Sequence, residues 1–415
     1  MKILFISNLF PPNAVGGYER LCAQVVENFS KENDVTVVTS SFGNKISQND
    51  NFTVYRDLKL LAGKNNIYEP FEGDYKKRSS INIENVIKLK NIIIKESPDF
   101  IFVWNLYFFD QSLLDTLEKS KIKTVFFLTD NWLISFLNSV FLVRYFDEII
   151  KDSNLSLTKI IKKYLYKVKV LIFNKKINLK SDAIFSSRFM QKLYSQSGIS
   201  FNKSSIIYNG VELENYSNKQ INRDFDIKNK KIKILFAGRV VQIKGVHVLI
   251  KAFYILKHKY KIENLELTII GDKTDKKYNR NLHDLMIKYG IVDSIKIKDF
   301  VKEAELFQEF QKYDIYTFPS LYEPFSLTLI YAMAAGIPTI ASNAGGNSEI
   351  IINNETGLIY DKFSPEDLAK KIKLLIYNKK LRKELSVNGI KKAHDFGFEK
   401  MCKELKNYLK NNYEK

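Results

Sequence analysis

The stretch DIYTFPSLYEPFSLTLIYAMAAGIPTIAS, from Asp314 to Ser342, contains two apolar strand-like segments separated by a helical one. Asp314 to Phe318 is predicted as one strand, and Pro338 to Ser342 as the next. Between them, Ser326 is placed to cap the N-terminus of a helix that ends at Gly336. Two strands joined by such a helix form a parallel pair with a right-handed crossover. This stretch therefore predicts an α/β protein with a parallel sheet.

The same alternation of strand and helix extends along the chain in two series. The predicted strands of the first series are Lys2–Ile6, Asp34–Thr39, Phe100–Trp104, Thr124–Leu128 and Ala183–Ser186, with a short apolar run at Ser205–Ile207. Those of the second series are Ile232–Ala237, Leu265–Ile270, Ser294–Lys298, Asp314–Phe318 and Pro338–Ser342. A polar segment, Asn215–Lys231, separates the two. We predict two tandem Rossmann-like, doubly wound parallel-sheet domains, residues 1–210 and 211–390. Because ligands of open α/β sheets bind beyond the carboxyl ends of the strands, facing edges would form a two-walled cleft.

The composition excludes several classes of protein. A chain of 415 residues that is 45% hydrophobic and 27% charged is typical of a folded protein large enough for two cores. Its two cysteines, Cys22 and Cys402, exclude a disulfide scaffold, and its four histidines form no metal-ligand cluster in the sequence. The apolar stretches are too short or too interrupted to cross a membrane. We therefore expect a cytoplasmic protein without a metal site.

The net charge of +19 is unevenly distributed. Residues Lys151 to Lys180 contain nine lysines and one acid, and they follow an apolar, aromatic stretch from Trp132 to Phe146. Such a combination can bind an anionic membrane surface or a phosphorylated ligand. It is equally compatible with a lysine-coated core helix in a Lys-rich proteome. No recognised RNA- or DNA-binding module and no stacking platform accompany the lysines, so nucleic acid is not an expected partner.

Three loops carry residues suited to an anionic ligand, and the first follows the predicted strand Asp314–Phe318. There Glu323 precedes free backbone N–H groups at the start of a helix, where the helix dipole favours phosphate. These groups belong to Phe325, Ser326 and Leu327. An ordinary strand-turn-helix would have the same spacing.

The other two loops contain paired glycines. Gly238–Arg239 and Lys244–Gly245 lie between the first strand and the first helix of the second domain. Arg239 and Lys244 could both bind a diphosphate there, and the glycines could let the backbone approach the diphosphate. A solvated basic loop is the alternative. Gly16 and Gly17 precede the first helix and form either another anion-tolerant turn or a plain turn.

Together these segments resemble the GT-B-fold retaining glycosyltransferases of family 4. The chain contains, in order, a PP…GG…ER opening from Pro11 to Arg20, an NGV turn at Asn209–Val211, the GR…KG loop, and PS…EPF and GG..E elements between Pro319 and Glu349. The resemblance spans nearly the whole chain. It implies an enzyme that transfers a sugar from a nucleotide-diphosphate sugar, with retained anomeric configuration and with no metal ion or other cofactor. It also implies that a final segment, residues 391–415, packs back on the N-terminal domain.

The resemblance implies a role for each matching position. Catalysis would depend on Glu323, Arg239 and Lys244, because the carboxylate would bind hydroxyls of the donor sugar and the two cations would neutralise the leaving diphosphate. The rest of the donor site would consist of Gly16 and Gly17 on the opposite wall, the amides of Phe325, Ser326 and Leu327 at the distal phosphate, Val301 near the base, and Glu349 as a supporting residue.

Two positions depart from the family pattern. Eight positions after the first glutamate, where the family has a second that grips the nucleotide ribose, this chain has Tyr331. A phenol accepts hydrogen bonds only weakly, so the ribose contact, and with it the choice of nucleotide, is left open. After the predicted strand Thr124–Leu128, where many relatives have His-Asp, this chain has Thr129 and Asp130. Asp130 could orient the donor sugar or the acceptor hydroxyl, or could be a turn aspartate.

In this family the first domain receives the acceptor. We therefore hypothesise a glycan or lipid-linked acceptor in the synthesis of a cell-surface polysaccharide or lipopolysaccharide. The chain would reach such an acceptor at the inner face of the plasma membrane, through an anionic-membrane contact of Trp132–Lys180. The alternative, suggested by Tyr331 and Thr129, is a non-catalytic homologue that acts as a partner subunit and binds no nucleotide. A nucleotide-sugar epimerase is a further alternative.

Overall fold

The computed structural model describes residues 1–14, 16–43, 51–64, 66–150, 176–217, 224–227 and 230–413. Two parallel sheets are flanked by helices, which confirms the predicted α/β class with two Rossmann-like sheets. Most of the basic segment Lys151–Lys180 falls at residues 151–175 and lies outside the described residues.

The first sheet has seven parallel strands in the order β3-β2-β1-β4-β5-β7-β9. They are β1 Lys2–Ser7, β2 Asp34–Ser40, β3 Thr53–Leu58, β4 Phe100–Asn105, β5 Lys123–Leu128, β7 Asp182–Phe185 and β9 Ser204–Ile206. A separate parallel pair consists of β6 Ile177–Asn178 and β8 Ile199–Ser200. The helices of this half are Gly17–Ser30, Tyr75–Glu96, Gln111–Lys119, Trp132–Leu137, Ser139–Ile149, Arg188–Gln196 and Glu214–Ser217.

The second sheet has six parallel strands in the order β12-β11-β10-β13-β14-β15. They are β10 Ile232–Ala237, β11 Leu265–Ile270, β12 Ile295–Lys298, β13 Ile315–Phe318, β14 Thr339–Ser342 and β15 Leu358–Tyr360. The helices of this half are Val246–His258, Lys276–Lys288, Leu306–Phe310, Leu327–Ala334, Asn347–Ile350, Pro365–Tyr377, Lys379–Ala393 and Phe398–Tyr413. The strand order therefore agrees with a doubly wound sheet.

Each sheet has one point at which the strand order reverses. In the first sheet this switch lies between β1 and β4, and in the second between β10 and β13. Loops that leave the carboxyl ends of such strands diverge and open a crevice. The loops after β10 and β13 carry Arg239 and Glu323, so the fold places both predicted residues at the same crevice.

The last two helices pack on different domains. In helix Lys379–Ala393, the Ser386 hydroxyl donates to the carbonyl of Gly336 at 2.6 Å, in the second domain. Helix Phe398–Tyr413 crosses to the first sheet, where its apolar face is buried in the same cluster as Phe5 and Phe102. The ring of Tyr413 stacks on Phe100 with 5.5 Å between centroids. The C-terminus thus ties the two domains together.

The apolar stretch after β5 divides between core and surface. Helix Trp132–Leu137 buries Trp132, Leu133 and Ile134 almost completely, so these side chains cannot contact a membrane. In helix Ser139–Ile149, by contrast, Val140 and Val143 expose 48% and 58% of their surface. Across the described ranges, no helix is both long enough and apolar enough to span a membrane.

Candidate active site

A cavity of about 480 Å³ lies between the domains, at the switch point of the second sheet. One wall is the first-domain turn that starts helix Gly17–Ser30, and the other consists of loops that follow β10, β11, β12 and β13. The predicted donor-site residues that line it are Gly16, Gly17, Arg239, Lys244, Val301, Glu323, Ser326, Leu327 and Tyr331. The structure therefore brings most of the predicted positions together in one interdomain cavity, which we call the donor cavity.

The two walls approach each other at Gly17. A Cβ atom added there would lie 3.7 Å from Cδ1 of Leu327, so the turn of the first domain packs directly over the helix start of the second. The neighbouring Gly16 N–H donates to Oε2 of Glu19 at 2.9 Å, which fixes the turn. A group bound between the walls is thus enclosed by backbone from both domains.

The helix Leu327–Ala334 presents its N-terminus to the donor cavity. The Ser326 hydroxyl caps it by accepting a hydrogen bond from the Leu329 N–H at 3.2 Å. Within the described part of the chain we find no protein acceptor for the N–H groups of Phe325, Ser326 and Leu327. The Phe325 side chain points elsewhere and stacks on Tyr208, with 5.3 Å between centroids. The helix start therefore offers amides and the positive end of the helix dipole to an anion.

Lys244 and Glu323 pair with each other across the donor cavity. Nζ of Lys244 lies 2.5 Å from Oε2 of Glu323, and the side chains are 14% and 7% exposed. The Ser320 hydroxyl donates to the same oxygen at 3.3 Å. Arg239, in contrast, is exposed at the cavity wall. One cation is thus held by a carboxylate, whereas the other interacts with Tyr68 and, among the described residues, forms no ion pair.

Gly245 has a packing role that the sequence-based interpretation did not include. It has a φ of 68°, and a Cβ there would collide with the Pro319 carbonyl of the Glu323 loop. Gly345 of the GG..E element has a φ of 54°, and a Cβ there would collide with the carbonyl of Glu323 itself. Both glycines therefore let neighbouring loops press against the backbone that holds Glu323.

Tyr331 holds a carboxylate that sequence analysis did not identify. Its hydroxyl donates to Oε1 of Glu303, and both residues line the donor cavity. Burial raises the pKa of Tyr331, and the nearby Glu303 charge raises it further, so the phenol remains a donor. Its ring stacks on Tyr216 with 5.5 Å between centroids. The one signal available in the sequence was proximity, because Glu303 lies two positions after Val301.

Glu349, predicted as a supporting residue of the donor site, does not line the donor cavity. Its carboxylate accepts hydrogen bonds from the N–H groups of Arg188 and Phe189, both at 2.9 Å. These amides begin helix Arg188–Gln196 of the first domain, whose preceding residue Ser187 donates to the Pro324 carbonyl at 2.9 Å. Glu349 therefore caps a helix across the domain interface and steadies the loop next to Glu323.

Asp130 lies in a second, smaller cavity of about 210 Å³. Arg239 lines both cavities, so the two adjoin. Burial raises the pKa of Asp130 to about 6; its hydrogen bond from the Trp132 N–H opposes this shift and the charge of Glu19 adds to it. The structure thus places Asp130 next to the donor cavity but not on its wall.

Comparison with known proteins assigns the chain to a family. A profile described as Glycosyltransferase Family 4 matches residues 15–215, and one described as Glycosyl transferases group 1 matches residues 217–392. A D-inositol 3-phosphate glycosyltransferase from Paenarthrobacter aurescens is 32% identical over 167 residues, which are 40% of this chain and 41% of that protein. The chain spans about half the length of the curated relatives it matches.

Solved structures with this fold cover nearly the entire chain. Anabaena HepE in complex with UDP-glucose superposes with a TM-score of 0.65 at 18% identity, covering 99% of this chain and 100% of HepE. The lipopolysaccharide outer core galactosyltransferase WaaB, in its apo form, gives a TM-score of 0.66 at 15% identity, covering 99% of each chain. At such identities the likeness establishes the fold alone. With the two adjoining profiles, it shows that the chain belongs to the GT-B glycosyltransferases of group 1 and family 4.

Proposed function

We propose that the protein is a retaining glycosyltransferase that moves a sugar from a nucleotide-diphosphate sugar to a glycan or lipid-linked acceptor. One observation carries the proposal: Arg239, Lys244, Glu323 and the start of helix Leu327–Ala334 converge in the donor cavity. Cations and unpaired amides suit a diphosphate, and a carboxylate suits the hydroxyls of a sugar. The UDP-glucose complex of HepE supports a donor of this class.

In the proposed reaction the bond from the anomeric carbon to the distal phosphate breaks, and the diphosphate leaves with the electron pair. The acceptor oxygen forms its bond on the same face of the sugar, and its proton passes to the leaving phosphate. Arg239, Lys244 and the helix amides stabilise the charge that builds on the diphosphate, so we propose that no metal ion is required. Each well-placed donor of this kind contributes roughly 3 kcal/mol.

Thermal-shift measurements without added metal, with a panel of UDP-, GDP-, ADP- and dTDP-sugars, test which nucleotide sugar the protein binds as donor. The true donor should stabilise the folded protein by about 2.7 kcal/mol when present at a hundred times its Kd. NMR of the product should then show the anomeric configuration of the donor. A partner subunit would bind no member of the panel, and an epimerase would convert the donor without an acceptor.

We propose further that the product belongs to a cell-surface polysaccharide or lipopolysaccharide and is made at the cytoplasmic face of the membrane. WaaB, a lipopolysaccharide outer core galactosyltransferase with the same fold, motivates this proposal. Val140 and Val143 offer apolar surface for a peripheral contact. The protein should float with anionic liposomes at moderate salt and lose flotation on Val143→Asp; sedimentation of the wild type away from the liposomes would contradict the contact.

A further inference from the structure

The smaller cavity, which contains Asp130, lies at the switch point of the first sheet. Asn8 directly follows β1, Asn105 ends β4, and Asp130 follows β5. Glu19 reaches the cavity from helix Gly17–Ser30. Such a switch point is where open α/β sheets bind ligands. Because Arg239 lines this cavity and the donor cavity alike, a molecule bound here would lie next to the transferred sugar.

Four polar side chains are each fixed by one backbone N–H group. Leu9 N–H donates to Oδ1 of Asn8 at 2.9 Å, and Tyr107 N–H donates to Oδ1 of Asn105 at 2.8 Å. Asp130 and Glu19 each likewise accept a backbone hydrogen bond at 2.9 Å on one carboxylate oxygen.

Each of these side chains has a second polar atom. Asn8 and Asn105 are only 2% and 4% exposed, yet within the described part of the chain we find no acceptor for their amide NH₂ groups. The second carboxylate oxygens of Asp130 and Glu19 likewise have no donor among the described residues. Buried polar groups of this kind are normally satisfied, so the cavity offers donors and acceptors to a ligand.

Aromatic rings line the same cavity. Tyr68 exposes 64% of its surface and Tyr107 exposes 41%. Phe108 has a φ of 69°, a left-handed conformation that a bulky residue adopts at a cost. Its carbonyl accepts a hydrogen bond from the Leu61 N–H at 2.7 Å, which holds the backbone in place. The rings of Tyr68 and Tyr107 pack edge-on against Phe108, with centroids 6.3 and 4.4 Å away. The strained backbone of Phe108, at a cavity lined by aromatic and polar side chains, indicates a binding role for this cavity.

The charge of the cavity limits what it can bind. Asp130 and Glu19 contribute two carboxylates, and Arg239 is the one cation among the described residues that line it. That cation also faces the donor cavity, where it would meet the diphosphate. A phosphorylated ligand would therefore face two carboxylates without a cation of its own.

We propose that this cavity binds the acceptor as an uncharged sugar ring, whose hydroxyls meet Asn8, Asn105 and Asp130 and whose C–H face rests on Tyr68 and Phe108. The inference rests on the proposed transferase function and names the class of its acceptor: a neutral glycosyl residue rather than a sugar phosphate. A cavity of about 210 Å³ can hold one sugar ring, so the rest of the acceptor would lie outside it.

Two variants and one control test the proposal in the full-length protein. Phe108→Gly removes the ring and retains the backbone, because glycine adopts a positive φ without strain. Tyr68→Ala removes an exposed ring. Tyr75→Ala removes another exposed tyrosine, at the start of helix Tyr75–Glu96 and outside the cavity. Each variant should have wild-type thermal stability. Phe108→Gly and Tyr75→Ala should also retain the nucleotide-dependent thermal shift, whereas Tyr68 interacts with Arg239 and its variant is used for glycoside binding only.

The probes are methyl glycosides of glucose, galactose, mannose and N-acetylglucosamine, compared with glucose 6-phosphate and D-inositol 3-phosphate. Binding is measured by saturation-transfer NMR in the presence of the stabilising nucleotide. At least one methyl glycoside should bind, with affinity reduced about tenfold or more by Phe108→Gly and by Tyr68→Ala, and unchanged by Tyr75→Ala.

Three results would overturn the inference: tighter binding of the phosphorylated probes, absence of binding by every methyl glycoside, or glycoside binding that neither ring deletion weakens. The thermal shift caused by nucleotide sugars distinguishes failure of this inference from failure of the proposed function. If nucleotide sugars bind and transfer proceeds to a phosphorylated acceptor, the transferase proposal stands and this inference falls. If the wild type binds no nucleotide sugar, the proposed function falls, and the inference falls with it.

Discussion

Glu323→Gln separates the effect of the Glu323–Lys244 ion pair on protein stability from its effect on ligand binding. The substitution keeps the length of the side chain and its contact with Ser320, but it removes the charge that compensates Lys244. Breaking a buried ion pair by removing one partner typically costs about 3–5 kcal/mol. Because Lys244 borders the donor cavity, water can partly solvate its ammonium group. We therefore expect the free energy of unfolding to fall by about 3 kcal/mol, the lower end of this range.

The same substitution should affect two ligands differently. In the wild type Lys244 interacts with Glu323 and, as proposed, with the diphosphate; without the competing carboxylate it interacts with the diphosphate alone, so the nucleoside diphosphate should bind at least as tightly as it binds the wild type. The nucleotide sugar, in contrast, loses hydrogen bonds from its hydroxyls to a carboxylate. Such bonds contribute about 1.5–3 kcal/mol, so the nucleotide sugar should bind about 10- to 150-fold more weakly.

Hydrogen exchange and calorimetry measure the two effects. Exchange of the amides in helix Leu327–Ala334 reports the local stability, and titration with both ligands gives the two affinities. Ser320→Ala, which removes only a 3.3 Å contact with Glu323, serves as the control and should change each affinity little. Equal weakening of both ligands by Glu323→Gln would refute the assignment of Glu323 to the sugar.

Three further predictions concern neighbouring residues. We expect the Glu303 carboxylate, which Tyr331 holds in the donor cavity, to accept hydrogen bonds from the bound nucleotide. Glu303→Gln should therefore weaken nucleotide binding about tenfold in calorimetry, whereas the exposed Glu305→Gln should have no effect. Equal affinities in both variants would contradict this contact. Glu349→Ala removes two hydrogen bonds to the start of helix Arg188–Gln196 and should lower the free energy of unfolding by about 1–3 kcal/mol. The nucleotide affinity should stay unchanged. Thermal denaturation equal to that of the wild type would argue against the helix cap. Because the folded-state pKa of Asp130 is about 6, above its ordinary value of 3.8, its contribution to stability is present below pH 4 and lost as the pH rises through 6. The loss amounts to at most about 3 kcal/mol, and Asp130→Asn should abolish this part of the pH dependence of urea denaturation; an identical profile in the variant would exclude Asp130 as its source.

The central strands were predictable because they are buried on both faces. The strands β1, β10 and β11 appear in the sequence as short, strongly apolar runs, and the structure has them nearly at the predicted bounds. The edge strand β3 was not predicted, because polar residues interrupt it and much of its length is only partly buried. Helix Arg188–Gln196 was also missed, although Ser187 caps it.

The donor cavity was predictable where it depends on loops that follow strands. Arg239 and Glu323 follow β10 and β13, and strand order alone brings these ends together. Contacts across longer separations were not predictable. The hydroxyl of Tyr331 meets a carboxylate 28 residues away, and Glu349 caps a helix about 160 residues away, in the other domain. Both depend on how whole elements pack, which residue spacing does not encode.

The most direct test of the donor site is calorimetric titration of the stabilising nucleotide sugar into the wild type, Arg239→Ala and Arg280→Ala. Arg239 lines the donor cavity, whereas Arg280 is an exposed arginine on helix Lys276–Lys288, outside the cavity. A lost charge-assisted contact of about 1.5–3 kcal/mol predicts that Arg239→Ala binds about 10- to 150-fold more weakly and that Arg280→Ala binds like the wild type. Equal affinity in all three proteins would contradict the account.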